Sequence, residues 1–283
     1  MTTTTLAPVA QWRDVDAAQF EAIVGAARPA ILRGAVGHWP AVGLAQRAPE
    51  AICNYLLACD NGSLVDALLL APEEGGRLFY NASMDGFNYL RNKVTISSVV
   101  EQLARYSRFA QAPAVAVQSA LVGDCLPRFA LENVAPWLAA EVRPRIWLGN
   151  GVITPAHFDE SNNLACVVGG MRRFTLFPPG QVGNLYLGPH DFAPTPTPIS
   201  MVDFSAPDLA RFPRFAAALE TAQVAELAPG DALFIPALWW HHVQSVGVLN
   251  ILVNYWWKAA GMADDAGRRL LASDKGERDA LAQ

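Results

Sequence analysis

The chain has 283 residues, of which 52% are hydrophobic and 17% charged, and its formal net charge at pH 7 is −5. This length and apolar content suit a folded protein with a large core and exclude a disordered polypeptide. The acidic balance gives no broad basic footprint, so nucleic acid is an unfavoured partner. The first residues lack a basic region followed by a long apolar stretch, and no apolar run approaches the length of a membrane span. We therefore expect a cytoplasmic protein without a membrane partner.

The first half of the chain mixes helices with short strands. Residues 1–10 are predicted to form a flexible leader, and residues 11–140 an N-terminal part of helices and strands. Apolar residues at helical spacing predict three helices, over residues 17–26, 44–59 and 95–106. The last of these has a predicted cap between Ser98 and Glu101. Short apolar runs predict strands over residues 28–34, 65–70 and 77–80.

After Gly151 the pattern changes to short β-type runs separated by glycine or proline turns. The predicted strands are residues 164–168, 172–177, 223–227, 231–235 and 248–257. Such a series indicates an antiparallel barrel or sandwich, with a helix over residues 207–222 inserted in a long connection. We expect a single domain over residues 1–283, with the barrel over 141–258 and a helical tail over 259–283.

Two stretches of this second half contain residues that could bind a metal ion. His157 and Asp159 are two positions apart, so on an extended backbone their side chains leave the same face. A third ligand would come from His241 or His242, and spacing does not decide between these neighbours because they point to opposite faces. Two imidazoles and one carboxylate leave three open coordination positions, which suits non-haem Fe(II), although ligand type alone does not separate it from Mn(II) or Zn(II).

Several motifs, in order along the chain, resemble the JmjC and cupin-type 2-oxoglutarate oxygenases. They are Thr154-Pro155-Ala156-His157-Phe158-Asp159-Glu160, Asn163, Arg173-Phe174-Thr175-Leu176-Phe177-Pro178-Pro179, Val202-Asp203-Phe204, Pro229-Gly230-Asp231, Trp239-Trp240-His241-His242 and Val253-Asn254-Tyr255-Trp256. The resemblance covers residues 145–258 and is nearest to the asparaginyl hydroxylases of that family. It implies a mainly β fold, a double-stranded β-helix of the cupin/JmjC jelly-roll type, with flanking N-terminal helices and a short helical C-terminal tail.

The resemblance also implies a ligand set. It assigns His157, Asp159 and His241 as the catalytic residues that bind Fe(II), and it places His242 outside the coordination shell. It further implies 2-oxoglutarate as the cosubstrate and dioxygen as the oxidant. In the family, the far carboxylate of 2-oxoglutarate is commonly held by a lysine on the strand after the His-x-Asp motif, helped by a threonine and a tyrosine.

This chain departs from the family at that anchor. The lysine aligns with Arg172, the threonine with Thr154, and the tyrosine, less securely, with Ala116, so Tyr80 is an alternative source of the phenol. Arginine can hold a carboxylate through two parallel hydrogen bonds, and we predict that Arg172 and Thr154 bind the cosubstrate. The alternative is that Arg172 is a surface charge and Arg173 faces the interior, because neighbouring arginines leave the strand register open.

Four further residues match family positions around the site. Asn163 and Asn254 match asparagines near the metal-bound end of 2-oxoglutarate, where an amide can donate to a carboxylate without adding charge. Gln118 and Trp256 match residues near the substrate. Each also has a structural interpretation, as a strand polar residue or as a ring packed over the site. Glu160 is expected to point out of the barrel.

The implied activity couples decarboxylation of 2-oxoglutarate to hydroxylation of an unactivated C–H bond, with a protein or peptide side chain as the favoured substrate. A small molecule or RNA is the alternative substrate. Two other functions stay open: a cupin that binds metal or ligand without catalysis, as a regulatory or interaction module, and an isomerase or hydrolase using Zn(II) or Mn(II). A homodimer formed through the C-terminal tail is a further expectation.

Overall fold

The computed structural model describes residues 6–281, with side chains described through residue 273. The strands are β1 (Ala7–Pro8), β2 (Ala10–Arg13), β3 (Ala30–Arg33), β4 (Val65–Leu70), β5 (Tyr89–Val94), β6 (Ala114–Leu121), β7 (Arg145–Gly149), β8 (Ile153–His157), β9 (Asn162–Phe177), β10 (Gln223–Leu227), β11 (Ala232–Ile235) and β12 (Trp240–Trp257). The helices are α1 (Ala17–Gly25), α2 (Pro40–Arg47), α3 (Pro49–Cys59), α4 (Ile96–Tyr106), α5 (Val122–Cys125), α6 (Pro127–Glu132), α7 (Phe215–Thr221) and α8 (Ala266–Leu281). Among these helices, none combines the length and apolar character needed to span a membrane.

The strands form two layers that share the long strands β9 and β12. The main layer has the order β2-β3-β11-β9-β12-β7-β6-β4-β5 and uses residues 162–169 of β9 with 251–257 of β12. The minor layer joins β1 and β10 to residues 171–177 of β9, and β8 to residues 240–246 of β12. The strand order is open at both ends, so the predicted jelly-roll fold is confirmed as two facing layers, without closure into a continuous ring.

Strand β9 is apolar along most of its length because both of its faces are buried. Leu164 and Cys166 face the N-terminal helices, in a cluster that includes Phe20 of α1. Ala165 and Val167 face the space between the layers, where the second cluster lies. A strand covered on both sides reads as a nearly continuous hydrophobic run instead of an alternating one.

The predicted leader and several predicted boundaries are wrong. Residues 7, 8 and 10 belong to strands: β1 pairs with β10, and β2 pairs with β3. Residues 1–5 lie outside the described part of the chain. The predicted helix over 44–59 is two helices, because Ala48 is extended and Pro49 begins α3. The cap of α4 comes from Thr95, whose side chain accepts from the Ser98 amide.

Other differences concern the β region. The two runs over 164–168 and 172–177 are one strand, and β12 begins at Trp240, eight residues before the predicted start. Residues 77–80 make only isolated bridges, and the helix in the connection is confined to Phe215–Thr221. The predicted tail helix is found as α8, while residues 282–283 lie outside the described chain.

Candidate metal centre

Three side chains from two distant segments meet between the layers. His157 is the last residue of β8, and it lies directly across from His241 of β12 with ring centroids 4.3 Å apart. Asp159 follows the end of β8, and its Oδ2 lies 3.7 Å from His241 Nε2. One ligand atom from each of the three residues lies within 4.8 Å of the other two, so together they could hold one metal ion.

Each of the three side chains is oriented by a hydrogen bond to another residue of the chain. The Nδ1 atoms of His157 and His241 lie 2.9 Å and 3.0 Å from the carbonyl oxygens of Pro155 and Trp239. A carbonyl accepts only, so each Nδ1 carries the proton and each Nε2 presents a lone pair. The Asp159 carboxylate accepts a hydrogen bond of 2.9 Å from the indole of Trp256. Such supporting bonds are typical of metal-binding side chains.

The electrostatics of the group favour neutral imidazole. Burial first, and the nearby His241 second, lower the pKa of His157 to about 4 against the opposing effect of Asp159. At neutral pH His157 is therefore uncharged, which is the form that binds metals.

His242 lies on the opposite face of β12 from His241, as the alternation of strand side chains requires. Its ring stacks on Phe204 at a centroid distance of 4.6 Å, and it lines a separate cavity with Arg77 and Asp203. The fold thus brings His241, and not its neighbour, to His157 and Asp159.

A cavity of about 510 Å³ opens beside the three side chains. Every residue predicted to bind the cosubstrate or the substrate lines it: Gln118, Thr154, Asn163, Arg172, Asn254 and Trp256. Ala116, which aligns with the family tyrosine, and Tyr80, the alternative source of a phenol, do not line this cavity. Ala116 is packed in an apolar cluster with Leu68, and the Tyr80 hydroxyl donates to the Phe192 carbonyl. No tyrosine among the described residues lines this cavity.

Arg172 is the most deeply buried of the three arginines that line the cavity. It is 8% exposed, and its Nε is buried without a hydrogen-bond partner. Within the described residues it has no ion-pair partner. Burial lowers the pKa of Arg172 to about 10, so the guanidinium is still charged at neutral pH. Arg173 instead points away and lies 3.7 Å from Glu226. A buried cation without a counter-charge fits an anionic ligand.

Two asparagines lie next to one another in the same cavity. Asn254 donates to the Asn163 side-chain oxygen at 2.7 Å, and both residues are buried. The Asn254 oxygen is buried without a partner. Among the described residues the Asn163 amide nitrogen has no acceptor, so it can donate to a ligand in the cavity.

The comparison with protein families covers most of the chain. Residues 16–262 match the family described as a cupin-like domain. The chain belongs to this family.

Curated relatives of this cupin-like protein include JmjC-domain proteins. The chain is 28% identical over 241 residues to the Jumonji C domain-containing protein 5 of Drosophila melanogaster, covering 82% of this chain and 55% of the relative. It is 26% identical over 237 residues to the lysine-specific demethylase 8 of Xenopus tropicalis, covering 81% and 48%. It is 37% identical over 119 residues to the human HSPB1-associated protein 1, covering 39% and 22%. The chain therefore spans about half the length of the relatives that it matches along most of its own sequence.

The cavity of this cupin-like protein also contains residues that sequence reasoning did not select. Arg145 and Trp147 of β7 line it, and the Trp147 ring packs edge-on against Trp256. Glu160 is exposed, as expected, but it lies at the cavity mouth beside α8, where a β carbon on Gly267 would meet its carboxylate. Strand β7 is held at the site by its pairing with β12 and with β6, and no local sequence pattern signals these pairings.

Proposed function

We propose that this protein is an Fe(II)- and 2-oxoglutarate-dependent dioxygenase that hydroxylates an unactivated C–H bond of a protein or peptide side chain. The observation that carries the proposal is the unpaired, buried Arg172 in the same cavity as the His157, Asp159 and His241 group. A metal site alone would suit many cupins, whereas a metal site facing a buried guanidinium suits a ligand with an acidic group at each end. The demethylase name of one relative favours an oxidative enzyme that acts on a protein.

The donor set fits the proposed groups. The Nε2 atoms of His157 and His241 and a carboxylate oxygen of Asp159 would hold Fe(II), a combination that leaves positions open for other ligands. Arg172 would bind the far carboxylate of 2-oxoglutarate, with the Thr154 hydroxyl beside it. When bound, Fe(II) and 2-oxoglutarate would supply the chemistry that activates dioxygen: one oxygen atom would enter succinate as carbon dioxide is released, and the other would enter the hydroxylated product.

The protein contributes position and a restricted environment. The carbonyls behind His157 and His241 keep their Nε2 atoms unprotonated, and Trp256 fixes the Asp159 carboxylate. Asn163 would donate its amide proton to the carboxylate at the metal-bound end of the cosubstrate. Apolar walls from Phe174, Val243 and Leu252 reduce the water in the cavity.

The substrate side of the site is the part of the cavity lined by Gln118 and Trp256. Gln118 lies on β6, next to the residues of β7 that line the same cavity, and it could hydrogen-bond a peptide amide through its own amide group. Trp256 offers a flat apolar ring, and its indole nitrogen is already used by Asp159. We therefore assign Trp256 to packing against the substrate and Gln118 to polar contact with it.

The test is the formation of succinate from 2-oxoglutarate by the purified protein with Fe(II) in air. We expect slow turnover without a substrate, loss of it in His157→Ala, and retention of it in His190→Ala, which changes an exposed histidine that does not line the cavity. A protein that binds Fe(II) yet forms no succinate would contradict the proposal and favour the non-catalytic cupin. A protein that binds metal but not 2-oxoglutarate would favour the isomerase or hydrolase.

A further inference from the structure

Arg145 is a second arginine of the main cavity, and it lies on β7 instead of on β9 with Arg172. It is half-buried, and it pairs across the strands with Asn254. Its Nη1 donates to the Ser119 carbonyl at 2.8 Å. In the part of the chain that the structure describes, no carboxylate lies within ion-pair distance of it. Arg145 is thus a charged group beside the site with most of its donors unused.

The backbone of β6 is distorted at the residue that holds Arg145. Ser119 has a φ of 51°, and the pairing of β6 with β7 shifts register between Val117 and Ala120. A non-glycine residue in the left-handed region costs free energy, and such strain persists only where the surroundings enforce it. A bulge of this kind redirects the groups of a strand. Here the Ser119 carbonyl is the group that orients the guanidinium.

The charges of the cavity leave Arg145 uncompensated. In the proposed complex, the charges of Fe(II), Asp159, dianionic 2-oxoglutarate and Arg172 cancel. Asp66 at the mouth is already paired with Lys93 at 3.0 Å. The charges that remain around the cavity are Arg145 and Arg91 against the exposed Glu160. A partly buried cation is costly unless it has a partner, so a ligand is the natural source of that partner.

Resting on the proposed function, we propose that Arg145 binds an anionic group of the substrate while the C–H bond to be hydroxylated lies at the metal. The group is a carboxylate or a phosphate, because the planar guanidinium binds both through paired hydrogen bonds. The substrate is therefore an acidic peptide side chain or a small organic acid, and an amide or a cationic side chain in that position is bound less well.

The test uses the protein loaded with Mn(II) and 2-oxoglutarate under nitrogen. The probes are capped tripeptides with a central Asp, Glu or phosphoserine, their neutral counterparts with Asn, Gln or Ser, and hexanoate beside hexanamide. Broadening of the probe proton signals by Mn(II) measures binding close to the metal. Arg145→Gln removes the charge, and Arg145→Lys keeps the charge without the paired geometry. Arg143→Gln is the matched control, because Arg143 is exposed and paired with Asp124.

We expect the unmodified protein to bind at least one class of acidic probe about tenfold or more tightly than its neutral counterpart, as a charge-assisted hydrogen bond allows. Arg145→Gln should abolish that preference, Arg145→Lys should keep part of it, and Arg143→Gln should keep it whole. The acidic probe that binds distinguishes a peptide from a small acid. Equal binding of acids and amides, or a preference that survives in Arg145→Gln, overturns the inference. Failure to form succinate from 2-oxoglutarate would instead overturn the proposed function.

Discussion

At the scale of single residues, Arg172 distinguishes this cavity from a simple metal pocket. Its guanidinium is buried and unpaired, whereas its neighbour Arg173 is half exposed and lies near Glu226. We expect Arg172→Ala to weaken 2-oxoglutarate binding by about tenfold to hundredfold, the usual size of a lost charge-assisted pair. Arg173→Ala is the matched control and should bind normally. Calorimetric titration of both variants with Mn(II) present measures the difference, and unchanged affinity in Arg172→Ala would reject the assignment.

Trp256 orients one of the three candidate metal ligands, Asp159, through a hydrogen bond. Its indole nitrogen donates to the carboxylate of Asp159, and the bond is absent in Trp256→Phe. We expect that variant to fold and to bind Fe(II) or Mn(II) about 10-fold to 100-fold more weakly, as is usual for the loss of a partner behind a ligand. Trp12→Phe, which changes an exposed ring, should have no effect. Equal metal affinity in the two variants would show that the indole does not orient the carboxylate.

His157 makes the stability of the metal-free protein depend on pH. Its pKa is lowered from 6.5 to about 4 by burial and by His241, so the unfolded chain takes up the proton first as the pH falls. Stability is complete above about pH 6.5 and declines toward pH 4, by on the order of 3 kcal/mol from this group. Urea unfolding at pH 7 and pH 4.5 measures the decline. It should be smaller in His157→Asn and unchanged in His190→Asn, and an unchanged decline in His157→Asn would contradict the account.

At the scale of elements, strand β9 passes from the main layer, which uses its residues 162–169, to the minor layer, which uses its residues 171–177. Gly170 lies at this bend between the layers with a φ of 72°, and a β carbon there would lie 2.4 Å from the Leu249 carbonyl oxygen. Glycine is the residue that adopts this conformation without strain. We expect Gly170→Ala to lower the free energy of unfolding by about 2 kcal/mol or more. Gly180→Ala, where a β carbon meets nothing within 4 Å, is the control for denaturant unfolding. Equal midpoints would show that the bend does not need glycine.

The C-terminal helix α8 is the element to which we assign dimer formation, and this stays a prediction. Leu270 and Leu271 of α8 pack against the cluster that contains Phe215, so part of its apolar surface is used within the chain. If the rest of the helix joins two copies, light scattering will give a dimeric mass for the full chain and a monomeric mass for a chain cut at Ala260. The same mass for both would contradict the prediction.

At the scale of the whole molecule, the sequence predicts the fold class, and the family motifs mark most of the polar residues that line the cavity. The set of candidate metal ligands could be predicted because the chain has only five histidines and because His157, Asp159 and His241 lie in motifs that resemble the family's. Arg172 could not be separated from Arg173, because the difference of one residue in register reverses the facing of a strand. Glu160 lies at the cavity because of where the chain runs after the end of β8, and Arg145 lies there because β7 pairs with β12. Both placements depend on contacts between residues far apart in the sequence. Helix ends were missed where a proline or an extended residue interrupts an otherwise periodic pattern.

The central claim is that one cavity holds a metal ion at His157, Asp159 and His241 and a keto acid between that ion and Arg172. A crystal structure of the protein grown with Mn(II) and 2-oxoglutarate in the absence of oxygen tests it most directly. We predict density for one ion bound by those three side chains and for a dicarboxylate whose far end contacts the Arg172 guanidinium. A structure in which 2-oxoglutarate is absent from the cavity, or in which its far carboxylate contacts another residue, would contradict the claim.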